Sequence, residues 1–370
     1  MTKVLFLIHD LGHGGAEKVL VNLVNNIDRE RFDVTVIALF VGGVNEQFLA
    51  PHVHYKRVFP RSFPGNSHIM KLFSPRQLHR FCVREHYDIE VSYLEGPSAR
   101  IISGCKDEHT KLVSWIHIEQ HTKERAASSF KNYEEALSCY RRFDHTIGVS
   151  QTVKQDFLSL FDLKKSMTVL YNTNESDKIR ASASEAVEKQ LFKKEEIKLI
   201  GVGKILPKKG FDRLARIHKL LKREGFPVHT FILGIGPMQN EIESYLTENS
   251  LQDSFTFLGY QTNPYKYVAK CDLFVCASYA EGFSTAATEA LIVGTPVCTV
   301  EVSGMKEMLG ENDEYGVVTE NSEEALYQGI KRLLDDPALL AHYREKAAER
   351  GKTFSTENTV RAVEEMLTGL

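Results

Sequence analysis

Short apolar runs rich in β-branched and aromatic residues alternate along the whole chain with segments whose apolar residues recur every three or four positions. VLFLI (4–8), VTVIAL (34–39), IEVSYL (89–94), KLVSWI (111–116) and HTIGVS (145–150) have the composition of buried strands. Between the first two, AEKVLVNLVNNI (16–27) places Val19, Leu20, Leu23, Val24 and Ile27 on one helical face. The second half repeats the theme with IKLIGVG (197–203), VHTFILG (228–234), SFTFLG (254–259), DLFVCA (272–277) and TPVCTV (295–300). Helical patterns over FDRLARIHKLLKRE (211–224) and PMQNEIESYLTEN (237–249) separate them. Strand–helix alternation of this kind predicts parallel sheets covered on both faces. Two such sets predict an α/β chain with two doubly wound domains, at 1–172 and 197–352. The stretch 173–196 shifts to Ser, Ala, Glu and Lys and is expected to link them. The tail 353–370 ends in an amphipathic helix.

Composition narrows the class. A chain of 370 residues, 42% hydrophobic and 26% charged, is that of a globular protein long enough for two cores. No apolar run nears the ~18 residues of a membrane-spanning helix. The start MTKVLFLIHDLGHGG reaches Asp10 quickly and lacks a small-residue cleavage site, so it is expected to be a buried strand rather than a signal peptide. The six cysteines (82, 105, 139, 271, 276, 298) form no CxxC pair, which suits buried reduced thiols in a cytosolic protein. Residues 1–175 hold 22 Lys/Arg against 20 Asp/Glu (+2), and residues 176–370 hold 24 against 29 (−5), together −3. A nucleic-acid binder should be far more basic.

Three strand-to-helix loops carry candidate chemistry. In LGHGGAEKV (11–19), Gly12, Gly14 and Gly15 allow close backbone approach to a diphosphate, or simply a tight turn. Glu17 stands where a dinucleotide fingerprint needs its third glycine, so a nicotinamide fold is disfavoured. In GVGKILPKKGFDRL (201–214), Lys204 and Lys209 supply the cations a leaving diphosphate needs, or are plain solvated charges. In EGFSTAATE (281–289), one carboxylate precedes a helix start and a second lies just inside it. A helix beginning near Ser284 puts Glu289 ~7.5 Å along its axis. A glycosidase-like retaining pair spans only about 5–5.5 Å across one bond, so Glu281 and Glu289 are expected to touch different parts of one ligand. Glu289 equally suits the dipole of the helix it sits in. His117 ends KLVSWI, at the strand edge where open α/β sheets bind ligands, a place that structural histidines also occupy. The series His117, Glu119, His121 lacks HExxH spacing and is not taken as a zinc site.

Together GGAEKV (14–19), SWIH (114–117), GVGKILPKKGFDRL (201–214), LGIGP (233–237), FLGYQTNP (257–264) and EGFSTAATEAL (281–291) resemble family 4 of the retaining glycosyltransferases, also called glycosyl transferases group 1. The resemblance spans nearly the whole chain in order. It implies the GT-B fold: two Rossmann-like domains facing across a cleft, the first for the acceptor and the second for the nucleotide sugar. The last helix is then expected to cross back onto the first domain. By position, Glu281 matches the carboxylate on the donor sugar hydroxyls. The amides of Gly282, Phe283, Ser284 and Thr285 match contacts to sugar and phosphate, and Glu289 matches the ribose-binding glutamate. Lys209 matches the diphosphate lysine, and Lys204, beside Gly203, takes a place usually held by arginine. Gly14 and Gly15 match the loop approaching the diphosphate. His117 matches a histidine near the reacting centre, and Tyr260 and Asn263 lie near the base. The implied reaction is metal-free front-face transfer of a hexose-type sugar from a nucleotide diphosphate sugar, UDP by family frequency, onto a glycan or lipid-linked acceptor in polysaccharide assembly. A nucleotide-sugar 2-epimerase and a non-catalytic GT-B partner protein are the alternatives.

Residues 54–86 contain seven Lys/Arg (56, 57, 61, 71, 76, 80, 84) and one acid, Glu85, with Tyr55, Phe59, Phe63, Phe73 and Phe81 interleaved. Ser74-Pro75-Arg76-Gln77 predicts a capping box, and Arg76, Arg80 and Arg84 would share one face of the helix that follows. The segment is either a surface for anionic lipid or a lipid diphosphate, or a solvated helix on an ordinary core. The expectation is a cytoplasmic protein, peripheral at the inner face of a membrane.

Overall fold

Strand β1 (Thr2–Ile8) carries five consecutive side chains with no exposed surface, Val4 to Ile8, because it lies inside a sheet covered on both faces. The computed structural model describes residues 1–12, 14–60, 69–163, 167–188 and 191–370. His13 of the first glycine loop, and Arg61 and Phe63 of the basic segment, lie outside them.

The chain forms two compact units, Met1–Asn174 with Thr356–Leu370, and Glu175–Ser355. The first holds β1, β2 (Phe32–Phe40), β3 (His54–Phe59), β4 (Ile89–Ser92), β5 (Lys111–Ile116), β6 (His145–Gly148) and β7 (Met167–Val169). They make one parallel sheet in the order β3-β2-β1-β4-β5-β6-β7. The second holds β8 (Ile197–Val202), β9 (Val228–Leu233), β10 (Phe255–Gly259), β11 (Leu273–Cys276), β12 (Val297–Val300) and β13 (Val317–Thr319), in the order β10-β9-β8-β11-β12-β13. Each is a doubly wound sheet whose strand order reverses once, between β1 and β4 and between β8 and β11. Ligands bind outside the carboxyl ends of strands at such a switch point.

The last helix, Thr356–Thr368, belongs to the first unit. It buries Val360, Val363 and Leu367, and Glu364 accepts the Asp28 N–H at 2.7 Å and pairs with Arg31 at 3.3 Å. The expected linker at 173–196 is corrected in part. Ser176–Ala183 is a helix of the second unit with Ile179 buried, and it packs on helices Tyr265–Val268 and Thr285–Ile292. One buried isoleucine in a polar helix leaves too little apolar period to find by pattern. All six cysteines are buried and free.

Candidate functional site

Two loops meet at the switch point of the second sheet, one leaving β8 and one leaving β11. They touch at Gly210, whose backbone is left-handed (φ 66°). A Cβ there would stand 1.9 Å from the Ala277 carbonyl oxygen, so only glycine permits this approach. Tyr279 N–H donates to Lys208 O at 2.8 Å and stitches the loops again.

The contact brings together residues 72 positions apart. Lys209 Nζ lies 2.5 Å from Glu281 Oε1, and Ser278 Oγ donates to the same oxygen at 2.6 Å. Glu281 Oε2 has no protein partner among the described residues. Helix Thr285–Ile292 starts four residues on, with Ser284 Oγ accepting the Ala287 N–H at 3.3 Å. The N–H groups of Thr285 and Ala286 find no protein acceptor among the described residues, leaving bare donors at a helix N-terminus. Glu289 is buried inside this helix and accepts from Tyr265 OH at 3.3 Å. A cation, a half-engaged carboxylate and free amides are thus gathered on one edge of one sheet.

The remaining predicted residues of this unit are placed as follows. Gly203 faces the Lys209 stem, and Gly282 and Phe283 are buried, with the Phe283 ring 5.8 Å from that of Phe354. Lys204 is exposed and makes no ion pair among the described residues. Tyr260 is exposed. Asn263 donates to Ser182 O at 2.9 Å, tying down helix Ser176–Ala183, while its Oδ1 is buried without a partner among the described residues.

In the first unit, Gly14 caps helix Gly15–Asn26, and Gly15 is exposed. The place of a Gly14 Cβ is filled by the Glu17 carboxylate, 1.8 Å away, so the glycine makes room for the acid of its own helix. That carboxylate already sits at the helix N-terminus, where an anion is favoured. His117 is buried at the carboxyl end of β5, its ring centroid 4.8 Å from Tyr93 and 6.3 Å from Trp115. Its backbone N–H donates to Glu95 Oε2 at 2.9 Å, and its ring Nε2 has no partner among the described residues. Burial without a partner holds the imidazole down at about 3, so it is neutral in ordinary buffers. Glu119, His121 and Asp156 bring ligand atoms within 4.8 Å of one another without His117. Asp156 is already committed to the N–H groups of Gln120 (2.6 Å) and His121 (3.1 Å).

Comparison with known families decides the identity. Residues 13–174 match the model for Glycosyltransferase Family 4, and residues 182–352 match that for Glycosyl transferases group 1. The chain is a group 1 glycosyltransferase. Two relatives align with this glycosyltransferase over nearly their full length. One is the Campylobacter jejuni N-acetylgalactosamine-N,N'-diacetylbacillosaminyl-diphospho-undecaprenol 4-alpha-N-acetylgalactosaminyltransferase, 28% identical over 100% of both chains. The other is an uncharacterized glycosyltransferase of Haemophilus influenzae, 22% identical over 97% of this chain and 98% of that one. Solved structures share the GT-B fold. Anabaena HepE in complex with UDP and glucose matches with a TM-score of 0.80 at 19% identity over 100% of both chains. Sucrose-phosphate synthase from Thermosynechococcus elongatus matches with 0.79 at 18%, over 100% of this chain and 99% of that one.

Sequence reasoning missed two residues of this glycosyltransferase's second unit, Ser278 and Arg213. Ser278 gave no signal, since a lone serine in a loop is unremarkable. Arg213 did give one. It falls in line with Ile217 and Leu221, so a cation sits on the apolar stripe of helix Phe211–Arg223.

Proposed function

We propose that this glycosyltransferase moves a hexopyranosyl group, plain hexose or N-acetylhexosamine, from a UDP-sugar to a lipid-linked glycan with retention of anomeric configuration. The Lys209–Glu281 contact at the second sheet's switch point carries the proposal. The second unit takes the donor. Glu281 Oε2 accepts a sugar hydroxyl, Lys209 turns to the diphosphate with the Thr285 and Ala286 amides, and Glu289 holds the ribose. Exposed Lys204 adds charge, and Tyr260 and Asn263 flank the base. The first unit takes the acceptor. His117 acts as a neutral hydrogen-bonding group near the reacting centre. Positive charge and amides answer the charge growing on the leaving diphosphate, so the reaction as proposed needs no metal. The Campylobacter jejuni relative, whose acceptor is an undecaprenol diphosphate glycan, supports the acceptor class.

The same reading makes the protein peripheral at the inner face of a membrane. No helix among the described residues is long and apolar enough to cross one. Ile69 (48%), Leu72 (78%), Phe73 (46%) and Phe81 (49%) are exposed beside Lys71, Arg76, Arg80 and Arg84. Their exposure is held in place. Buried Arg100 donates to Met70 O (2.8 Å) and Phe73 O (2.7 Å) and pairs with Glu135 at 2.9 Å. The Ser74 capping box forms as expected. The helix ends at Cys82, however, so only Arg76 and Arg80 lie on it, and Arg84 stands beyond, its Cζ 5.8 Å from the Phe81 ring.

A thermal-shift screen of nucleotide sugars, followed by NMR of the product anomer, tests the donor and the stereochemistry. Stabilisation by a UDP-sugar and a retained anomer are expected. No response to any nucleotide sugar, or an inverted product, would sink the reading.

A further inference from the structure

Arg213 is 1% exposed and lies under the loop that carries Ser278 and Glu281. Its Nε donates to Ala277 O at 3.1 Å, and its Nη2 to that oxygen and to Ser278 O at 3.1 Å. Its Nη1 donates to Asn321 Oδ1 at 3.0 Å, and Asn321 Nδ2 in turn donates to Tyr279 O at 3.3 Å. The Tyr279 ring lies against the guanidinium, 4.2 Å from Cζ to centroid. Three consecutive carbonyls are therefore gathered by one side chain, directly or through Asn321.

Peptide planarity gives this gathering a consequence. The C=O of one residue and the N–H of the next lie in one plane and point in opposite directions across the chain. With the Ser278 carbonyl turned to Arg213, the Tyr279 N–H must face away, and it meets Lys208 O. With the Tyr279 carbonyl turned to Asn321, the Ala280 N–H faces away as well, and it has no protein acceptor among the described residues. The same twist leaves Ser278 Oγ on Glu281 Oε1. A buried guanidinium normally faces a carboxylate, but Arg213 has none within ion-pair distance among the described residues. Carbonyls, an amide and a ring meet its charge instead, so positive potential persists beneath the loop.

We infer that Arg213, with Asn321, is a positioning residue for the donor diphosphate: it fixes the peptide orientation of 277–280 so that Lys209 and Glu281 meet, and it supplies a cation below them. This rests on the donor reading above. Lysine would keep the charge but lose the fork.

The test measures binding of a nucleoside diphosphate (the one of UDP, GDP, ADP and dTDP that the wild type binds best) and of its parent nucleoside by calorimetry and competition. In Arg213→Lys the diphosphate Kd should rise about tenfold, and in exposed Asn321→Ala about threefold, with the nucleoside Kd changing by less than about twofold. Melting temperatures should stay within a few degrees. An unchanged diphosphate Kd in folded Arg213→Lys overturns the inference, as does an equal loss for nucleoside and diphosphate, which marks a merely structural role. If Arg213→Lys does not fold, Asn321→Ala decides, and wild-type affinity in it overturns the inference. A wild type that binds none of the four diphosphates sinks the donor reading and this inference with it, a result distinct from the others.

Discussion

Lys209 Nζ and Glu281 Oε1 stand 2.5 Å apart on loops that leave neighbouring strands β8 and β11. Each neutralises the other before a ligand arrives. On the proposed donor reading, a diphosphate would compete with Glu281 for the lysine, and a sugar hydroxyl would bind a carboxylate already half engaged. The two changes should therefore separate. Lys209→Ala should weaken nucleoside diphosphate binding and lower kcat. Glu281→Gln should leave Lys209 uncompensated and hold the diphosphate at least as tightly, while kcat falls on the order of 100-fold. Calorimetry with the diphosphate alone and steady-state transfer rates distinguish them. Weaker diphosphate binding in Glu281→Gln would contradict the arrangement.

Gly210 sets whether that pair can form. Alanine there must adopt φ 66° and place its Cβ 1.9 Å from Ala277 O. The left-handed backbone alone costs about 1–2 kcal/mol, and the overlap forces the loops apart. Gly210→Ala should lower the urea midpoint of the second unit and weaken diphosphate binding together. A variant that loses stability but keeps wild-type affinity would show that the approach does not govern the site.

His117 is uncharged at working pH, because burial alone holds it down at about 3. Its Cε1–H resonance should not titrate between about pH 5 and 8, where an ordinary histidine changes. Folded and unfolded values then differ in a defined sense. The unfolded imidazole takes a proton as pH falls through about 6.5 and the folded one does not, so the penalty is absent above that value and grows as pH falls toward 3. His117→Gln should remove its share of this dependence, leaving that of buried His218, which burial also holds down at about 3, and, as a neutral hydrogen-bonding substitute, retain more transfer activity than His117→Ala. A titration midpoint near 6.5 in the folded protein would refute the assignment.

Legibility of the fold tracked burial. Strands buried on both faces, such as β1 and β9, stand out as unbroken apolar runs. The strands the pattern missed, β3, β7 and β13, are all sheet edges. The β3 sequence HYKRVF is half exposed and charged, and β7 and β13 are three residues each, so no apolar period could form. At the site, loop identity was legible because strand, glycine and charge occur together in short motifs. The partnerships were not. That Lys209 would meet Glu281, or that Arg213 would hold the Ala277 and Ser278 carbonyls, depends on β8 and β11 being neighbours, a pairing the linear sequence does not display.

The exposed apolar residues at 69–81 give a direct test of membrane contact. Leu72 is 78% exposed although Arg100 anchors the turn on both sides of it. Leu72→Glu together with Phe73→Glu removes the apolar contact, and Arg76→Glu with Arg80→Glu reverses the charge. Each pair should abolish flotation with vesicles containing anionic lipid, and neither should occur with neutral vesicles even in the wild type. Because these side chains are exposed, the variants should fold and keep activity toward a short soluble acceptor. Flotation unchanged by both pairs would leave the segment as an ordinary solvated surface.

The helix beneath that surface is pinned by His79, whose Nε2 lies 2.8 Å from buried Glu90. Burial pulls the imidazole down, but hydrogen bonds to Cys105 and Glu90 and the Glu90 charge outweigh it and hold it up at about 9. A histidine raised in the folded state stabilises fully below its unfolded value of about 6.5, and that stabilisation is lost as pH rises from there to about 9. The urea midpoint of the wild type should therefore fall across this window. In His79→Gln, which keeps a donor but cannot be charged, the midpoint should be lower at pH 6 and should fall less than that of the wild type between pH 6.5 and 8, below the range where the buried thiols, raised by burial, begin to cost stability. The loss should be local first, because the ion pair joins helix Pro75–Cys82 to the central strand β4. Amide exchange in that helix should rise with pH faster than in β1, after correction for intrinsic rates. A wild-type midpoint that is flat from pH 6.5 to 9, or that parallels His79→Gln, would show that the pair is not charged.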